Sequence, residues 1–141
     1  MTTGRLLGST DLIGAATSAG YARCWVRELL GGDHPALDHV MLLVSETVTN
    51  SVVHSDSRNG GRISLVLAES EAAVRVNVID AGAPTEPRVC RDEFGEGGRG
   101  MFLVDRIAER WGIDEVNGCR VVWFEVATDG CGAGDASASG P

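Results

Sequence analysis

The chain has no lysine; all 12 of its basic residues are arginine. A Walker A loop needs a lysine to reach the phosphates, and a Schiff-base enzyme needs one as its nucleophile, so both classes are excluded. Cysteine is sparse and scattered. Cys24, Cys90, Cys119 and Cys131 form no Cys-x-x-Cys pair and no paired metal-ligand spacing, so reduced thiols are expected rather than a zinc site or a disulfide framework. No apolar run is long enough to span a bilayer. Residues Met1 to Tyr21 lack the cationic start and long apolar core of a signal peptide, so a cytoplasmic protein with no membrane attachment is expected. Positive charge is outnumbered too. A net charge of −8 at pH 7 argues against binding a nucleic-acid backbone, and no direct nucleic-acid contact is expected. An anionic ligand would need a local site, such as backbone N–H groups or a helix start.

What is present suits one globular core: 141 residues, 43% of them hydrophobic, are enough for a single domain. Residues Gly4 to Gly8 read as a short first strand. Asp11 reads as a helix cap before a helix from Ala15 to Leu30, which Gly31-Gly32-Asp33 stops. A second helix runs from Pro35 to about His54, and Asp56 to Gly61 is a polar turn. Ile63–Leu67 and Val74–Ile79 are β-branched and partly alternating, so they read as strands, with Glu69 to Ala73 as a hairpin linker. Pro84 to Gly98 reads as a mobile loop. A third helix is expected from Met101 to Trp111, because Leu103, Val104, Ile107, Ala108 and Trp111 recur at helical spacing. Arg120 to Val126 is the last strand. The domain is placed at residues 1–127 and a disordered Gly/Ala/Ser tail at 128–141. There is no internal repeat. Grouped helices and hairpin-linked strands predict an α+β layer sandwich rather than a doubly wound parallel sheet.

Three motifs carry chemistry. In the second helix, Glu46 and Asn50 lie four apart and so share a face, with His54 one turn further along. A carboxylate can take a proton from a hydroxyl, and an amide oxygen can bind Mg²⁺; a plain polar helix face also carries such a pair. Next, Asp80-Ala81-Gly82 follows a strand. A carboxylate there can accept from an adenine amino group, where guanine presents a carbonyl oxygen instead, and Gly82 allows close approach of a flat base. A simple Asp-Gly turn is the other reading. Finally, Gly95-Glu96-Gly97-Gly98-Arg99-Gly100-Met101 opens the third helix. Glycines before a helix start expose N–H groups to an anion, and a flexible helix entry is the alternative.

Taken together and in this order, the motifs resemble the GHKL ATPase superfamily with its Bergerat ATP-binding fold. Within it, Val44 to His54, Gly97 to Met101 and Asp105 to Gly112 are similar in wording to the small bacterial anti-sigma-factor serine/threonine kinases. The resemblance covers about Asp11 to Val126. It implies a two-layer α/β sandwich with a mixed, mostly antiparallel sheet and helices on one face. It also implies ATP and Mg²⁺ as cofactors. By position, Asn50 would hold Mg²⁺, and Glu46 would be the base for a partner's serine or threonine hydroxyl. Asp80 would bind the adenine amino group and Gly82 would line the base pocket. Gly98 and Gly100, with Arg99 and Met101, would form the phosphate cradle, and Pro84 to Gly97 a lid. His54 falls near the phosphates in relatives, with a structural role as the alternative.

Relatives sequester a sigma factor and phosphorylate a STAS-domain anti-anti-sigma protein, and the resemblance implies the same partners here; relatives often form homodimers, and an exposed first strand could pair across a two-fold axis. Arg23 and Arg27 on the first helix are candidate partner contacts, or else solvated arginines on an amphipathic helix. Val121 stands where many relatives have Thr, whose hydroxyl helps hold adenine; losing one hydrogen bond costs about 0.5–1.5 kcal/mol. That departure, with a short lid, leaves a second expectation open: a non-catalytic module that binds a sigma factor or STAS protein with ATP structural or absent. A histidine-kinase catalytic domain is disfavoured, because no helix carrying a phosphoacceptor His precedes the motifs.

Overall fold

The computed structural model of the chain describes residues 4–54, 61–80 and 99–128, with the backbone alone at His54 and at 99–102. Strand β1 spans Arg5–Ile13, helix α1 Ser18–Leu30 and helix α2 Leu37–His54. Strands β2 (Arg62–Glu69) and β3 (Ala73–Asp80) follow, then helix α3 (Arg99–Ile107) and strands β4 (Arg110–Val116) and β5 (Cys119–Ala127). The strands form one sheet in the order β1-β2-β3-β5-β4, with every neighbouring pair antiparallel. The fold is α+β, as the sequence predicts, though the described sheet is wholly antiparallel rather than mixed.

Alternation along the strands builds the core. Ile63, Leu65 and Leu67 of β2, Val74, Val76 and Val78 of β3, and Val122, Phe124 and Val126 of β5 are buried on one sheet face, because successive strand side chains point to opposite sides. Val26 of α1, Leu43, Val44 and Val48 of α2, and Val104 of α3 join them in one cluster. The helices therefore cover one face. On the other, Arg75 lies over the Trp123 ring at 4.3 Å and also bonds Glu125 at 3.1 Å. Glu125 takes Arg110 at 2.6 Å as well. The Trp123 ring rests against Gly112, where any Cβ would fall 2.8 Å from its Nε1.

Four expectations are corrected. The first strand is longer than Gly4 to Gly8 and reaches Ile13. Asp11 is consequently not a helix cap; it lies within β1 and accepts from the Ser64 hydroxyl at 2.7 Å across the ladder. Helix α1 starts at Ser18, whose Oγ donates to the Ile13 carbonyl, rather than at Ala15. The third helix stops at Ile107: the Glu109 N–H donates to the Glu125 carbonyl at 2.8 Å and carries the chain into β4. Trp111, expected on that helix, pairs with Phe124 in the sheet. It packs on the core from a strand, which is why its spacing imitated another helical turn.

The turn between α1 and α2 is pinned by His34. Its Nδ1 accepts the Ala36 N–H at 3.0 Å, so the ring proton lies on Nε2, 2.9 Å from a Glu69 carboxylate oxygen on β2. Thr128, just past β5, donates its N–H to the Ala72 carbonyl at 2.8 Å. The expected loop at Pro84 to Gly98 and the tail beyond Thr128 lie outside the described residues.

Candidate functional site

Helix α2 is apolar on its inner face and polar toward one edge. Val40, Leu43, Val44 and Val48 face the sheet, while Glu46 and Asn50 are half-buried one turn apart. Thr47, buried between them, is satisfied within the helix by the Leu43 carbonyl at 2.8 Å. Ser51 follows Asn50 and is also buried, because it faces the end of β3.

That contact joins the first two motifs. The Ser51 Oγ donates to Asp80 Oδ2 at 2.5 Å. Asp80 is the last residue of β3, and its carboxylate is fully buried between sheet and helix. Buried carboxylates need partners, and Asp80 has a second: Arg120 Nη2, 3.1 Å from the same oxygen. Arg120 lies directly across the ladder from Asp80, at the start of β5, and its side chain is only 14% exposed. A donor hydroxyl and a guanidinium thus meet on one carboxylate at the sheet end from which β3 departs.

Sequence reasoning did not single out Ser51 or Arg120. Ser51 had a signal, being one residue past Asn50 on a helix whose next apolar contacts are Val48 and Val52. Arg120 had none, since its pairing with Asp80 depends on register across 40 residues. The register also places Val121. Val121 pairs with Ile79, so its side chain points to the sheet face away from the helices, and the residue facing Asp80 is Arg120.

The third motif approaches the same helix. Arg99 is the first residue of α3, with Gly100 and Met101 in its first turn, and α3 packs against α2. His54 ends α2. Gly82 and Gly98 lie outside the described residues, as does the segment expected as a lid. Arg23 and Arg27 are exposed on α1, and Arg23 Nη1 donates to Ser45 Oγ of α2 at 3.0 Å.

The donor set fits a magnesium nucleotide. Among the described residues, no three His, Cys, Asp or Glu side chains gather into a protein-only metal cage. Mg²⁺ does not require one, because it keeps waters and phosphate oxygens and takes one or two protein oxygens; the Asn50 amide would be one such oxygen. Asp80 is a buried acceptor that would suit the amino group of a base. Cys24 and Cys119 are free thiols, and no described helix is long and apolar enough to cross a membrane.

No curated protein matches the chain. The family model for the histidine kinase-like ATPase domain matches residues 10–126, from within β1 to within β5, and so takes in α2 with its Glu46–Asn50 pair, Asp80 and the start of α3. By that match over most of its length, the chain belongs to the histidine kinase-like ATPase domain family of ATP-binding, GHKL-type proteins.

Proposed function

We propose that this protein is an ATP-dependent serine/threonine kinase that acts as an anti-sigma factor, sequestering a sigma factor and phosphorylating a STAS-domain anti-anti-sigma protein. The observation that carries the reading is the Ser51–Asp80 hydrogen bond of 2.5 Å. It brings the helix with Glu46 and Asn50 against the strand end with the base acceptor, so that one ligand can span them. The wording of Val44 to His54 and Asp105 to Gly112 supports the kinase subclass.

In this reading Asn50 would hold Mg²⁺, which would supply charge neutralisation at the phosphates, and the start of α3 would cradle them. Glu46, half-buried one turn before Asn50, would take the proton of the acceptor hydroxyl as its oxygen bonds to the γ-phosphorus of ATP and the bond from that phosphorus to the ADP leaving group breaks. Positioning and charge stabilisation supply most of the catalysis in phosphoryl transfer. Exposed Arg27 and the Arg23–Ser45 contact offer the α1 surface to a protein partner. Edge strand β1, with Leu6 and Ile13 exposed, offers a homodimer contact.

Incubation with Mg-ATP and a cognate STAS protein tests the proposal. Glu46→Gln lowers phosphate transfer by about 10²–10⁴-fold, the usual range for loss of a general base, with nucleotide affinity retained. Undiminished transfer in that variant removes Glu46 as the base. A second reading, a non-catalytic partner-binding module, is favoured by one observation: Asp80 is already engaged by Ser51 and Arg120. Titration calorimetry separates the two, since the module binds its protein partner without requiring Mg-ATP.

A further inference from the structure

Arg120 changes what the base acceptor can recognise. A lone carboxylate at the end of β3 is an acceptor only. It suits the amino group of adenine and faces the carbonyl oxygen of guanine with like partial charge. Here the carboxylate is not alone. Arg120 Nη2 lies 3.1 Å from Asp80 Oδ2, with Asp80 buried and Arg120 half-buried on the helix-facing side of the sheet. A guanidinium carries five N–H donors in a rigid fork and always keeps its charge. Asp80 and Arg120 together therefore present an acceptor and a donor side by side.

We propose that Arg120 is the base-selectivity residue of this site and that it makes the site tolerant of guanine as well as adenine nucleotides. The inference rests on the nucleotide-binding reading above. Guanine places N1–H and the 2-amino group beside O6. The two donors suit Asp80 and the oxygen suits Arg120, the same complementarity by which arginine reads guanine O6 elsewhere. Adenine keeps its amino contact to Asp80 and gains a donor for a ring nitrogen. The clash that normally rejects guanine is therefore answered by a donor supplied from β5.

Equilibrium binding of Mg-ATP and Mg-GTP, measured by calorimetry on the full chain, tests this. In the unaltered protein the two dissociation constants lie within about tenfold of each other. Arg120→Thr removes the donor and moves their ratio at least about tenfold toward ATP, whereas Arg120→Lys, which keeps a donor cation, leaves the ratio within about threefold of its starting value. A preference for ATP above tenfold in the unaltered protein overturns the inference while leaving the nucleotide site intact. An unchanged ratio in Arg120→Thr, with its circular dichroism unaltered, also overturns it. Binding of neither nucleotide overturns the nucleotide reading itself, and this inference with it.

Discussion

Asp80 concentrates the residue-scale energetics of the site. Its carboxylate is fully buried, so each donor it has offsets a large desolvation cost. Ser51 supplies one at 2.5 Å. Hydrogen bonds to charged groups contribute about 1.5–3 kcal/mol, so Ser51→Ala lowers unfolding free energy by about that amount in urea denaturation. A loss below about 0.5 kcal/mol would mean that water replaces the hydroxyl and that the site is more open than its burial indicates. Asp80 itself was legible as a carboxylate ending a strand before Ala-Gly, with a plain Asp-Gly turn as the other reading. Its partners were not. Among the described contacts, Ser51 comes from a helix 29 residues earlier and Arg120 from a strand 40 residues later, and no local pattern encodes either.

At the scale of elements, the β4–β5 hairpin shows a signal that periodicity outweighed. Asn117 and Gly118 both have positive φ, at 55° and 84°, as a two-residue type I′ turn requires. Asn-Gly between apolar alternations is a strong hairpin signature, yet the helical spacing of Leu103, Ile107 and Trp111 drew the third helix past its end. Nothing lies within 4 Å of a Cβ at Gly118, so substitution there carries a backbone cost alone. Gly118→Ala therefore destabilises by about 1–2 kcal/mol, and Gly118→Asn by less than half of that, because Asn tolerates the left-handed region. Equal losses in chemical denaturation would place the cost in packing instead. The buried helices and strands were readable, since Leu43, Val44 and Val48, or Val74, Val76 and Val78, repeat at the period of their own element.

For the whole molecule, ligand binding and stability are linked. Any ligand that binds the folded chain alone adds RT ln(1 + [L]/Kd), about 2.7 kcal/mol at one hundred times Kd. Mg-ATP at that level raises the thermal midpoint, and the part of the rise that depends on Mg²⁺ disappears in Asn50→Ala while a smaller rise with ATP and chelator persists. If Asn50→Ala keeps the whole Mg²⁺-dependent rise in differential scanning fluorimetry, the ion is held elsewhere. The readout is global because α2 is a core helix and also forms one wall of the proposed site. Val44 and Val48 anchor it to the sheet, while Glu46 and Asn50 face the edge.

The sequence by itself determined the α+β class, most of the strands and helices, and the three polar interruptions in an otherwise apolar framework. Those properties are local: they follow from side-chain period, from glycine and from the cost of burying charge. Only the tertiary structure decided which side chain stands opposite Asp80. A strand's period is two, so a shift of one residue exchanges its faces. The register of β3 with β5 placed Arg120 on the helix side and Val121 on the other. Register is set by the buried ladder of Val74, Val76 and Val78 against Val122, Phe124 and Val126, a sum of contacts across distant segments that no single stretch of chain contains.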